Sequence, residues 1–164
     1  MVVGGSHRSP NWRAHIGATL KGLRRLRNVR PPQMAERLHL SIRAYENFEN
    51  GKGRLNVERL LRVATLLDAD PYATLTALDV GSPEFAQRCA NNKLMSILML
   101  ALRDFDRKAQ DAIVGLDPLF LMKAFSAFFD QLAEHAAEQQ EVIARWQRLR
   151  DNPDEDGGGE PEAD

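Results

Sequence analysis

Residues 32–51 read PQMAERLHLSIRAYENFENG, and this stretch decides the fold. It holds two short helical patterns separated by a tight turn. The first, about 32–38, turns Met34, Ala35 and Leu38 inward; the second, about 42–50, turns Tyr45 and Phe48 inward. Positions 42, 43, 46 and 47 share the opposite face of the second pattern, because residues three and four apart are neighbours along an α-helix. Pro31 and Pro32 end the preceding segment and suit the opening turn of the first pattern, where a missing N–H is harmless. Ser41 is a suitable N-cap, and Gly51 ends the second pattern where a left-handed residue costs least. Two helices joined by a tight turn, the second with a polar outer face, form the layout in which that second helix enters the DNA major groove.

Around this stretch the chain is punctuated by Ser9-Pro10, Asp70-Pro71, Ser82-Pro83 and Asp117-Pro118. Each sets a capping side chain before a proline whose fixed φ suits the first helical position, so helices should start near 10, 71, 83 and 118. The first should run from about Pro10 to Asn28, with Trp12, Ile16, Leu20, Leu23 and Leu26 near one face. A fourth, about 56–68, carries Val57, Leu60, Leu61, Ala64 and Leu67, and a short fifth follows Pro71. Helical segments near 83–104 and 107–114 lead to a long one over 118–150. No segment alternates with period two, so the fold is all-α.

Charge divides the chain. Residues 1–78 carry 13 Lys and Arg against 6 Asp and Glu, whereas residues 79–164 carry 9 against 17. A basic front half and an acidic back half suit a nucleic-acid module joined to something that avoids DNA. The expected organisation is a DNA-binding domain over 10–79, a helical dimerisation region over 82–150 and a disordered acidic tail over 151–164. That tail has seven acids, no base and three consecutive glycines. Along the long helix Met122, Phe125, Phe129, Leu132, Ala136, Gln139, Ile143 and Trp146 recur at steps of three and four, a heptad seam with one polar interruption. Of these, Met122, Phe125, Phe129, Leu132, Ile143 and Trp146 are the expected dimer interface.

Residues Leu20 to Thr76 resemble the DNA-binding domain of the Cro and phage-repressor type, the XRE family. The resemblance implies a five-helix domain whose third helix reads bases. Ile42, Arg43, Glu46 and Asn47 then face the major groove. Arg43 would donate two hydrogen bonds to a guanine and Asn47 would pair with an adenine. Ile42 would touch a thymine methyl, and Glu46 would accept from cytosine or orient Arg43. Phosphate contacts fall to Arg30, Arg37, Ser41, Asn50, Lys52 and Arg54 around the rim. Arg24 and Glu49 occupy positions that form an ion pair in many relatives, and Ala35 sits where helices cross. Two departures stand out: Pro31 replaces the usual glutamine at the start of the second helix, and His39 replaces the usual turn glycine.

The rest of the chain narrows the class. Cys89 is the only cysteine, which rules out an intramolecular disulfide and a multi-thiolate metal site. It reads as a small buried residue. His7, His15 and His135 lack partners at metal-ligand or catalytic spacing, so no metal, no cofactor and no enzymatic activity are expected. The longest apolar run, Leu94 to Leu102, is far short of the ~20 residues that span a bilayer, and the N-terminus has no signal-peptide pattern. The expectation is a cytoplasmic, homodimeric transcriptional regulator, a repressor, that binds double-stranded DNA at an inverted repeat. Its rival is an antitoxin-like module that masks a partner protein through the C-terminal helices.

Overall fold

The structure, a computed structural model, describes residues 12–52 and 54–151. Among these residues every regular element is helical. None of the helices is long and apolar enough to cross a membrane. The helix start expected at Pro10 and the acidic tail lie outside the described residues.

The chain forms two compact units, dividing between Lys108 and Ala109. The first unit contains α1 (Trp12–Leu26), α2 (Pro31–Arg37), α3 (Ile42–Glu49), α4 (Val57–Leu66), α5 (Pro71–Val80), α6 (Pro83–Arg88) and nearly all of α7 (Leu94–Ala109). Its core gathers one apolar face from each of the first helices, including Ile16, Leu20 and Leu23 from α1, Met34 from α2 and Tyr45 from α3. Helix α4 adds Leu60, Val63 and Ala64. Leu26 departs from the expected face and is 44% exposed. The buried positions 16, 20 and 23 continue at 27, and Arg27 there reaches the carbonyls of Leu67 and Asp68 at 2.8 and 2.6 Å. Val57, in the first turn of α4, is likewise exposed.

The helices end alike. After α1, α2 and α4 the chain passes through a left-handed residue, Asn28, His39 and Asp68, with φ between 46° and 54°. The next N–H then reaches back: Val29 to the Arg24 carbonyl, Leu40 to Ala35, and Ala69 to Ala64, at 2.8–3.0 Å. This closure satisfies carbonyls that a helix end otherwise leaves orphaned. Helix α3 closes the same way through Gly51, whose φ is 67°. A Cβ there would sit 2.5 Å from the Arg13 carbonyl oxygen, so glycine is required for space as well as conformation.

Asp70 organises the far side of the unit. It is fully buried, and its Oδ1 accepts from the Tyr72 and Ala73 amides at the start of α5. Its Oδ2 accepts from the amides of Met95 and Ser96 at 2.8 and 3.1 Å, and the Ser96 hydroxyl donates to Oδ1 at 2.7 Å. One carboxylate therefore caps two helices, α5 and α7. Burial would raise its pKa, but the hydrogen bonds from Ser96, Ala73 and Met95 outweigh burial and hold it below the usual carboxylate range. Helix α6 packs against α1 and α5. The expected boundary near residue 80 thus separates helices that lie in one compact unit. The segment expected over 83–104 is also two helices, because the chain turns at 89–92 and Lys93 takes a φ of 56°. Cys89 is buried as expected, and that burial pushes its thiol pKa up.

The second unit holds a short 3-10 helix, Gln110–Gly115, and α8, Pro118–Asp151. The Asp-Pro start of α8 holds as expected, since Asp117 Oδ2 accepts from the Phe120 amide at 2.9 Å. No residue of this 34-residue helix is buried.

Candidate nucleic-acid interface

The site is built on α3. Ser41 caps it, its hydroxyl accepting from the Ala44 amide at 3.2 Å, which satisfies one of the free N–H groups of the first turn. From behind, Tyr45 and Phe48 sink into the core, and Glu49 is buried beside them. Glu49 takes two bonds from Arg24 of α1, Nε to Oε1 at 2.7 Å and Nη2 to Oε2 at 3.3 Å, while the Tyr45 hydroxyl donates to Oε1 at 2.9 Å. Arg24 Nη1 also donates to the Val29 carbonyl in the α1–α2 connection at 2.9 Å.

The pair expected between Arg24 and Glu49 is therefore present, and it locks three segments together. Glu49 hydrogen-bonds Arg24 and raises its pKa despite burial. Burial, with the Glu49 charge beside it, pushes the Tyr45 hydroxyl far above its ordinary value, so it stays a proton donor. A fixed Arg–Glu–Tyr cluster contributes geometry more than net stability.

With its back fixed, α3 presents Ile42, Arg43, Glu46 and Asn47 on one exposed face; Ile42 is 49% exposed. None of these four side chains makes a hydrogen bond or ion pair among the described residues. The turn before them holds its form without glycine: His39 adopts a φ of 54°, which costs an L-residue roughly 1–2 kcal/mol. Ala35, almost fully buried, lies under the turn and accepts the Leu40 amide at 2.9 Å.

The rim residues are all exposed but are engaged unequally. The side chains of Arg30, Lys52 and Arg54 make no contact of this kind among the described residues. Arg37 leans on α4 through a long 3.4 Å bond to the Leu66 carbonyl, and the Ser41 hydroxyl is occupied as the cap acceptor. Asn50 Oδ1 accepts from Lys21 Nζ at 2.6 Å. That bond brings a further cation, from α1, to the C-terminal edge of α3. Sequence reasoning passed over Lys21; the available signal was its place one turn before Arg24 on the same helix. It also passed over Gln33, whose Oε1 accepts the Arg30 amide at 2.8 Å. Gln33 thus caps α2 two positions after the proline that replaces the usual glutamine.

Residues 15–77 match the helix-turn-helix domain family. Neither a curated protein nor a solved structure matches the chain. The matched segment starts within α1 and ends within α5, and so contains α2, the His39 turn and α3. Both partners of the Arg24–Glu49 pair lie within the matched segment. Among the described residues, no three His, Cys, Asp or Glu side chains gather as a metal site would require. The residues expected at a dimer interface lie elsewhere, on α8. There Met122, Phe125, Phe129, Ile143 and Trp146 are exposed and Leu132 is half-buried.

Proposed function

We propose that the chain is a sequence-specific, double-stranded-DNA-binding transcriptional regulator that acts as a repressor by occupying an inverted-repeat operator as a dimer. One observation carries the reading: four side chains of α3 stand exposed and uncommitted on a helix whose opposite face is fixed by core and ion pair. Immobilising the back of the helix lowers the ordering cost of placing its front against base edges. Arg43 takes guanine O6 and N7, Asn47 takes adenine N6 and N7, Ile42 meets a thymine methyl, and Glu46 accepts from cytosine N4 or steers Arg43. Arg30, Arg37, Asn50, Lys52 and Arg54 hold phosphates, with Ser41 at the N-terminal end of α3 and Lys21 added beside Asn50.

Regulation on this account needs no chemistry. A bound dimer blocks the promoter, and a two-fold protein matches half-sites on one side of the duplex, one helical turn of about 34 Å apart or a multiple of it. Selection from a random duplex library tests the reading. It predicts enrichment of an inverted repeat that Arg43→Ala and Asn47→Ala both abolish while weak non-specific binding persists. No enrichment at moderate salt would overturn it.

The second reading, a module that masks a partner protein through its C-terminal helices, draws on the exposed apolar side chains of α8. It predicts a small toxin encoded by the adjacent gene, whereas a helix-turn-helix used only for protein contacts would leave Arg43 and Asn47 dispensable.

A further inference from the structure

Helix α8 carries an apolar face that nothing else in its own unit buries. On that face Met122 and Trp146 are 67% and 70% exposed, and Phe125, Phe128 and Phe129 are about half exposed. An aromatic side chain offers roughly 150–250 Å², so Phe125, Phe128, Phe129 and Trp146 alone present roughly 450 Å² per chain. With the aliphatic residues, two copies together would remove about 1,600–2,000 Å² from water, the size of a stable interface. Patches of this extent on soluble chains mark contact surfaces.

The pattern on α8 specifies the occupant. With the seam residues as heptad positions a and d, Met122 is a and Phe125 is d. One flank, position g, then holds Leu121, Phe128, His135, Val142 and Leu149. The other flank, position e, holds Leu119, Ser126, Ala133, Gln140 and Gln147, mostly small or polar. Every charged residue of the helix except Arg150 falls at b, c or f, away from both flanks. No flank charge is therefore left to select a different chain, as charged e and g positions ordinarily do. The face is apolar on one side only, and that asymmetry fixes direction. Parallel pairing sets g against e, leaving Phe128 opposite Ala133 and Val142 opposite Gln147. Antiparallel pairing sets g against g, so Phe128 meets Val142 and Leu121 meets Leu149.

The seam agrees in size. Run antiparallel about Glu134, it pairs Met122 with Trp146, Phe125 with Ile143, Phe129 with Gln139 and Leu132 with Ala136. Each ring then meets a side chain of different shape, and Ala136 meets Leu132, as a filled core requires. Parallel pairing instead stacks Phe125, Phe129 and Trp146 on their own copies and leaves Ala136 facing Ala136. We infer that α8 is the dimer interface and that it pairs with a second copy of itself antiparallel, about a two-fold axis passing near Glu134. This deepens the dimer of the proposed function and does not depend on DNA binding.

Pulsed electron paramagnetic resonance on the full chain tests it, with Cys89→Ala removing the native thiol. Spin labels are placed at exposed positions off the interface, at Lys123→Cys in one variant and Glu134→Cys in another. A helix rises 1.5 Å per residue, so antiparallel pairing separates the two labels at 123 by about 33 Å along the axis, while the two at 134 are separated only by the width of the pair, about 20–25 Å. Distances of about 20–25 Å at both positions would overturn the antiparallel arrangement while preserving the dimer. The absence of any inter-label distance, with a monomer mass in sedimentation, would overturn the dimer itself. Neither outcome touches base reading by α3, which the library selection tests separately.

Discussion

The helix-turn-helix domain and α8 meet water in opposite ways. In the domain, even carboxylates are drawn inside and paired: Asp70 has no exposed surface and its side chain accepts five hydrogen bonds, and Glu49 lies buried against Arg24 and Tyr45. Helix α8 buries nothing and leaves Trp146 70% exposed. The domain pairs its buried carboxylates within itself, whereas in the proposed dimer the aromatic residues of α8 are covered by a second copy. Stability in the domain should therefore respond to single polar substitutions, whereas substitutions in α8 should register in association.

Removing one member of the buried ion pair is the most damaging change expected. Arg24→Ala leaves Glu49 charged and buried, and should cost about 3–5 kcal/mol of unfolding free energy in denaturant titration. A loss below about 1 kcal/mol would mean that water reaches the pair. Phe129→Ala acts on the other region. In the proposed dimer it removes two ring burials, roughly 3 kcal/mol, so that dimer should dissociate about 100-fold more readily in sedimentation while the unfolding of the first unit barely changes. If the first unit loses stability instead, the contrast between the regions fails.

Asp70→Ala strips the shared cap from α5 and α7 and should cost about 2 kcal/mol. The same residue sets an acid limit. Its folded pKa lies below the unfolded value of about 3.9, so its contribution is fully present above that pH and is lost as pH falls through the lower folded value. Asp70→Asn should flatten the decline in stability with acid below about pH 4, measured by chemical denaturation. The smallest change expected is a gain. His39→Gly relieves a left-handed φ of 54° and should stabilise by about 0.5–1 kcal/mol, net of the entropy that glycine adds to the unfolded chain. Loss of stability would mean that the imidazole makes a contact worth more than the strain.

Much of the fold was legible because the sequence states its helix starts openly. Asp70-Pro71, Ser82-Pro83 and Asp117-Pro118 each open a helix, and Met34, Ala35, Tyr45 and Phe48 fall inside as their spacing requires. Helix ends were harder to read. Asn28, Asp68 and Lys93 adopt the left-handed conformation that glycine ordinarily advertises, so the break between α6 and α7 carried no glycine signal. Long-range polar links were invisible as well. Nothing local ties Asp70 to Ser96 or Lys21 to Asn50, because those bonds exist only once α7 and α1 have packed. The exposed face of α3 was legible from residue spacing alone. The engagement of its rim, with Arg37 turned toward α4 and Asn50 held by Lys21, required the packed structure.

The central claim separates a face that reads bases from a rim that holds phosphates. Its most direct test is the affinity of the intact protein, Arg43→Ala and Lys52→Ala for the selected duplex and a scrambled one across a salt series. Arg43→Ala should lose about 1–3 kcal/mol on the selected duplex only, collapsing discrimination. Lys52→Ala should weaken both duplexes alike and reduce the salt slope by about one. Equal losses on the two duplexes for Arg43→Ala would contradict base reading by α3.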